Sequence, residues 1–407
     1  MDVRKALLQS VCAGIRGTQV QWTEEMTPQD WTALVSLAQE QQVLPMVLQG
    51  CYNAPAFLSQ SDDVRTTLLR RSRMQVVGQT MRSHALAELW QELRGAGFTP
   101  VIMKGAACRS VYPNGTVRIS SDEDVLVPVA QFRDCADFLR SRGFAGGEGE
   151  DGFEIGLRRG DGLYIELHSA PFAPDDPVLG GCNGLFEGIY ERCITVEADG
   201  TALQVMGAQD HMLLLILHAF KHLLFSGFGL RQVCDMVLWA ERYGSEIDWE
   251  EIAENCIPVR ALGFVRAVFQ IGVQYLDMDT AKADLAPSLL LDDGTAEALL
   301  EDLLGGGVFG TATRSRTHSA NLTRSAVAAQ RQGEKSSLRR TLFPPRKALE
   351  KDYPYLKKQP WLLGAAWFTR LTRYGAEVLR REDSDAAEAL RIGRERTELL
   401  RKLDILD

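Results

Sequence analysis

The run Asp122-Glu123-Asp124-Val125-Leu126-Val127 constrains this chain more than any other, because it enters a short apolar strand through a D-x-D. Strand side chains alternate between faces, so residues two apart point the same way, about 7 Å from one another along the strand. Asp122 and Asp124 therefore converge on one or two hard cations. A third carboxylate on a neighbouring strand would complete the oxygen ligands that Mg²⁺ prefers, together with water and phosphates. Glu166, in the apolar run Leu163 to Leu167, is placed for that role.

The surrounding pattern supplies the strands. Pro100-Val-Ile-Met103 is a strand-type run, followed by a turn at Gly105 and a short helix over Ala106 to Tyr112. The second strand is Asp124 to Val127, and Val129 to Arg142 has helical spacing that stops at Gly143. Phe153 to Leu157 and Leu163 to Leu167 flank Arg158-Arg-Gly-Asp-Gly162, and Ile194 to Glu197 and Ala202 to Val205 flank Ala198-Asp-Gly-Thr201. Both are hairpin signals. Residues 96–206 thus read as an α/β unit with a mixed or mostly antiparallel sheet.

Either side of it the chain reads as helical. In 1–95 the segment Val64 to Gly95 has apolar residues at helical spacing, among them Leu68, Leu69, Val76, Leu86, Leu89 and Leu93. In 207–407, Asp210 to His222 and Leu230 to Tyr243 are helices, with more to about residue 304 and again from Leu363 to Leu406. Between them, residues 311–347 form a basic stretch of nine Lys or Arg against the single acid Glu334. It reads as a mobile loop, or as a holder of RNA or another acidic acceptor. The fold class is α+β.

The net charge of −9 over 407 residues argues against a general nucleic-acid coat, and no DNA partner is expected. The most apolar stretch, Met212 to Leu230, is interrupted by His218, Lys221 and His222, so no membrane partner is expected. The start carries only a short, broken apolar region, and no secretory signal is expected. The eight cysteines are scattered and none forms a C-x-x-C, which reads as reduced thiols in a cytoplasmic protein.

The acids point to metal-assisted chemistry at phosphorus. Two cations about 4 Å apart clamp the attacking and leaving oxygens of an in-line displacement. The third carboxylate is also placed to take a proton from the incoming hydroxyl. Gly105 lets the backbone approach a phosphate, and Lys104 and Arg118 offset phosphate charge. Glu123, inside the D-x-D, points to the opposite sheet face, which must be wet or must supply a cation. His168, two residues past Glu166, reads either as a contact to nucleotide or metal-bound water or as a core histidine. His218 and His222 lie at i, i+4 with His211 two turns earlier. Without H-E-x-x-H they read as packing against the catalytic unit rather than as a zinc pair. Arg231 and Asp235, also at i, i+4, read as a helix ion pair or, for Arg231, as a cleft residue facing the triphosphate.

These motifs carry a resemblance. Met103-Lys-Gly-Ala-Ala, Tyr112-Pro, Arg118, Asp122-x-Asp-x-Leu-Val127 and Glu166-Leu-His168 resemble the uncharacterised bacterial nucleotidyltransferase family of the DNA polymerase β superfamily. The likeness continues through Asp210-x-x-Leu-Leu-x-x-x-His218, Lys221-His222, Arg231 and Asp235, and through Tyr353-Pro-Tyr-Leu-Lys-Lys and Glu398-Leu-Leu-Arg-Lys-Leu. It implies a minimal polymerase-β-like core between helical N- and C-terminal regions, with Gly105 in the phosphate-approaching turn. It also implies Asp122, Asp124 and Glu166 as metal ligands for Mg²⁺ or Mn²⁺. The expected activity is transfer of a nucleoside monophosphate from an NTP, such as ATP, to an acceptor, with release of pyrophosphate. The acceptor is a small molecule, a protein or RNA. Two departures stand out: the turn is Lys104-Gly105-Ala106 where the superfamily usually has Ser, and Glu123 sits inside the D-x-D. The alternatives are a phosphotransferase using the same site and a catalytically degenerate protein that binds nucleotide or a partner.

Overall fold

Leucines at helical spacing do not by themselves say what a helix packs on; here they build a helical layer ahead of a sheet. The computed structural model describes residues 2–306 apart from 23, 25, 148–151, 226 and 291–293, together with 353, 359–364, 366, 367 and 395–406. Five helices come first: α1 (Val3–Arg16), α2 (Pro28–Glu40), α3 (Leu44–Cys51), α4 (Pro55–Leu58) and α5 (Asp62–Gly95). Thr27 and Asp30 form a reciprocal capping box at the start of α2, which satisfies N–H groups the first turn leaves open. α5 is 34 residues long and buries Leu68, Leu86, Leu89, Trp90 and Leu93 on one side.

The sheet follows. Its elements are β1 (Val101–Ile102), the short helix α6 (Ala106–Arg109), β2 (Glu123–Leu126), α7 (Phe132–Ser141), β3 (Glu154–Arg158), β4 (Tyr164–His168), β5 (Ile194–Ala198) and β6 (Thr201–Val205). The strand order is β3-β4-β2-β1-β6-β5. β3/β4 and β5/β6 are the two expected hairpins; β1 and β2 are antiparallel, while β2 pairs with β4, and β1 with β6, in parallel. The sheet is therefore mixed, with β2 buried between β1 and β4. The β2–β4 register sets Asp124 beside Glu166 and Leu126 beside His168.

After the sheet the chain is helical through α8 (Ala208–Phe225), α9 (Leu230–Tyr243), α10 (Trp249–Cys256), α11 (Leu262–Tyr275) and α12 (Thr295–Gly306). α8 is apolar almost all round and buried on nearly every side, the property of a central core helix. No helix among the described residues is long and apolar enough to cross a membrane. Near the C-terminus, Leu399, Leu400, Leu403 and Ile405 enter the same core. All eight cysteines are free.

Several expected bounds shift by one to three residues. β2 starts at Glu123 rather than Asp124, because its ladder with β4 begins at the pair Glu123–Ile165, and Asp122 precedes the strand. The helix expected from Val129 begins at Phe132 after a 3₁₀ turn over Val129–Gln131. The helix expected over Ala106 to Tyr112 stops at Arg109. The basic stretch 311–347 lies outside the described residues, as does most of the expected closing helix.

Candidate active site

The site begins at the turn after β1. Gly105 has φ 56° and ψ −105°, a backbone conformation that side chains resist. A Cβ there would also stand 2.1 Å from Glu123 Oε2. The carboxylate that crowds Gly105 comes from β2, on the sheet face opposite Asp124. Its Oε2 accepts from the Ala106 N–H at 2.8 Å, and its Oε1 accepts from Arg109 Nη1 at 2.8 Å. The opposite face therefore supplies a cation, and that cation is Arg109. The Arg109 guanidinium also donates to Ser120 Oγ and to Asp199.

The other face of β2 opens into a cleft of about 270 Å³, at the small end for a ligand site. Asp122, Asp124, Glu166, Lys104, Gly105, Arg118, His168 and Arg231 all line it, together with His218, His222 and Asp235. Within it, Asp124, Glu166 and His168 offer ligand atoms that lie within 4.8 Å of one another. His168 Nε2 is 3.3 Å from Asp124 Oδ1 and 3.9 Å from Glu166 Oε2. Asp122 stands outside this cluster, half-buried at the mouth, where Ser121 Oγ donates to its carboxylate. The compact triad is thus two of the three expected acids plus His168, whose side chain shares the face of Glu166.

Lys104 reaches the cluster from the turn. Its Nζ is 2.8 Å from Asp124 Oδ1 and 2.7 Å from His218 Nε2. Burial opposes the ammonium, but Asp124, with Asp122 and Glu166 farther off, holds its pKa above the ordinary lysine value. Burial and Lys104 push His218 well down, so the ring is neutral and accepts from the ammonium. Asp124 is held far below the usual carboxylate range: burial opposes this, and Lys104 and His168 outweigh it. Glu166 goes the other way, pushed up to about 8 by burial and then by the Asp124 and Asp122 charges.

A divalent cation fits these residues. Both His168 ring nitrogens are buried and have no hydrogen-bond partner among the described residues, and Asp124 Oδ1 beside them meets the Lys104 ammonium. Two carboxylates and an imidazole converging on one point are donors such an ion accepts.

The cleft wall opposite is built on α9. Asp235 Oδ2 accepts from Arg118 Nη2 at 2.6 Å and its Oδ1 from Arg118 Nε at 3.1 Å, while the Tyr112 hydroxyl donates to Oδ1 at 2.7 Å. Arg118 also donates to Ser120 Oγ. Asp235 therefore pairs across the molecule with Arg118 rather than along its helix with Arg231. Arg231 donates to the Ile119 carbonyl and has no carboxylate within ion-pair distance among the described residues; its buried Nε has no hydrogen-bond partner. Burial, then Arg118, holds its pKa below the usual arginine value. His211 lies in the core, stacked on Trp239 at 4.0 Å, and does not line the cleft. Sequence reasoning passed over Arg109, although the need of Glu123 for a cation was its signal.

The model of a family described as "Uncharacterised nucleotidyltransferase" matches residues 27–277, which include every cleft residue named above. No curated protein matches. Among solved structures, the chain is similar to an antigenic nucleotidyltransferase-like protein from Paracoccidioides brasiliensis. That likeness has 12% identity and a TM-score of 0.32, covers 50% of this chain and 95% of the other, and carries no argument.

Proposed function

Because the chain belongs to the uncharacterised nucleotidyltransferase family, we propose that this cleft moves a nucleoside monophosphate from a nucleoside triphosphate to an acceptor hydroxyl, releasing pyrophosphate. The observation that carries the reading is the convergence of Asp124, Glu166 and His168 beside a lysine and an arginine without a carboxylate partner across the cleft. Asp124 and Glu166 would hold Mg²⁺ or Mn²⁺, with His168 within reach of the same point and Asp122 at the mouth. The bound cation would supply charge neutralisation for the phosphates and the developing oxyanions.

The protein's own groups do the rest. Lys104 and Arg231 bind the triphosphate oxygens, and the Gly105 turn allows a phosphate close to the backbone. Arg118, already spent on Asp235, shapes the wall behind them. The acceptor oxygen bonds to the α-phosphorus, and the bond from that phosphorus to the bridging oxygen breaks. Pyrophosphate carries away the electron pair, and the hydroxyl proton passes to the Glu166 carboxylate, which lines the cleft beside Asp124.

The test is a thermal-shift panel of ATP, GTP, CTP and UTP with Mg²⁺ or Mn²⁺, on wild type and on Asp124→Asn/Glu166→Gln. A ligand at a hundred times its Kd stabilises by about 2.7 kcal/mol. A metal-dependent shift with one nucleotide, absent in the double variant, is expected. Product analysis should then find pyrophosphate. Release of the nucleoside diphosphate would move the reading to phosphoryl transfer, and no shift with any nucleotide would sink it.

A further inference from the structure

Glu123 and Arg109 are both deeply buried, 3% and 2% exposed, and the reaction above uses neither. Burying an ion pair is expensive, and an apolar pair of the same volume often serves stability as well or better. An apolar pair would lack one thing present here, an acceptor for the Ala106 N–H. The Glu123 carboxylate takes that N–H on one oxygen and Arg109 on the other, each at 2.8 Å. Ala106 and Arg109 are the first and last residues of α6, so both ends of the segment after the turn are tied to one group. That group is carried between Asp122 and Asp124 in the chain, and it fills the space where Gly105 lacks a side chain. Arg109 is held from a second direction by Asp199, in the β5–β6 turn at φ 51°, which also accepts from Ser83 of α5.

We propose that Glu123 is a positioning residue that locks the Gly105 turn to the D-x-D strand, fixing the separation between the phosphate-approaching turn and the metal-holding carboxylates. The proposal rests on the reading of this cleft as a nucleotide site. It also accounts for the acid inside the D-x-D: Glu123 faces away from the cation and sets the frame the cation sites belong to. The lock uses up the Ala106 N–H, leaving Gly105 and Lys104 as the groups of the turn that meet a phosphate.

Three variants of the full chain test it: Glu123→Ala, Glu123→Ala/Arg109→Met and Glu123→Asp. The readouts are Tm, amide exchange of residues 104–109, and binding of Mn²⁺ with inorganic triphosphate. The single alanine variant should lose stability because Arg109 is left buried without that carboxylate. The double variant should regain part of the lost Tm, since the buried guanidinium is gone while Asp199 keeps Ser83 as a donor. Its 104–109 amides should still exchange at least tenfold faster than in wild type, with Mn²⁺-triphosphate binding at least tenfold weaker. Glu123→Asp keeps the charge against Arg109 but withdraws it from Ala106, so it should fold and show the same faster exchange. Wild-type exchange in Glu123→Asp, or recovery of stability, exchange and binding together in the double variant, overturns the lock. Failure of wild type to bind any Mn²⁺-polyphosphate would instead overturn the functional reading, and the exchange measurements would still decide on the lock.

Discussion

Asp235→Ala should unfold the wall of the cleft from within. In wild type, Asp235 accepts from Arg118 Nη2 at 2.6 Å, from Arg118 Nε at 3.1 Å and from the Tyr112 hydroxyl at 2.7 Å. Asp235 is 2% and Arg118 5% exposed, so water cannot replace the lost carboxylate. Removing one partner of such a buried pair costs about 3–5 kcal/mol, because the other charge stays behind uncompensated. Here the penalty should fall in the upper part of that range, since Arg231 places a second cation against the same wall. Taking about 4.5 kcal/mol and a urea m-value of roughly 3 kcal/mol/M, the unfolding midpoint should drop by about 1.5 M with m unchanged. Tryptophan fluorescence follows the transition, as Trp239 is buried in the same helix. The double variant Arg118→Met/Asp235→Leu removes both charges and should lie within about 1 kcal/mol of wild type. A midpoint shift below about 0.3 M for Asp235→Ala would refute the reasoning, and so would a double variant as unstable as the single. The double variant also separates two roles for Arg118. If it is stable and still binds Mn²⁺-triphosphate, Arg118 only builds the wall. If it is stable and binding is lost, Arg118 meets the phosphates as well.

Gly105→Ala forces a side chain into a positive-φ turn and onto the Glu123 carboxylate, 2.1 Å from its Oε2. Strain of this kind costs on the order of 1–3 kcal/mol, and nucleotide-dependent thermal shifts should vanish even where the variant remains folded; a full shift with wild-type stability would contradict the role of the turn. His211 is pushed down to about 3 by burial, with the nearby Arg118 adding to the shift against the opposing pull of Asp235. Its folded pKa is lower than its unfolded value near 6.5, so between pH 6.5 and 3 the unfolded chain binds the extra proton and stability falls as pH falls, by about 1.4 kcal/mol per pH unit. His211→Phe, which keeps a ring against Trp239, should flatten that acid limb in urea titrations at pH 4.5 and 7. An equally steep acid limb in the variant would assign it to other groups.

Local order was largely legible in the sequence because hydrophobic period and turn residues are local signals. Both hairpins and the helices around Leu68–Leu93, Asp210–His222 and Leu230–Tyr243 follow from them, with bounds moved by ladder and cap geometry. That His168 shares the face of Glu166 was legible for the same reason: alternation along a strand fixes which side chains share a face. What pattern alone does not yield is register between strands distant in the chain. The parallel pairing of β2 with β4 sets Asp124 beside Glu166, and with it His168 replaces Asp122 in the tightest cluster.

The long-range ion pairs were the least legible part, and the reason is electrostatic. A sequence shows that a buried charge needs a partner but not where the partner lies. Spacing suggested Arg231 for Asp235, four residues apart on one helix, yet the side chain that reaches Asp235 is Arg118, 117 residues away, which donates to both carboxylate oxygens through Nε and Nη2. Glu123 required a wet face or a cation, and the cation came from Arg109, which has the look of an ordinary residue at the end of a short helix. Both partners sit between β1 and β2, in the connection that carries the turn over the sheet. Two of the chain's buried arginines, Arg109 and Arg118, lie in that connection. Arg231, which has no carboxylate partner among the described residues, faces the cleft from the opposite wall, and its buried, unbonded Nε is a donor that an anion such as a polyphosphate would complete.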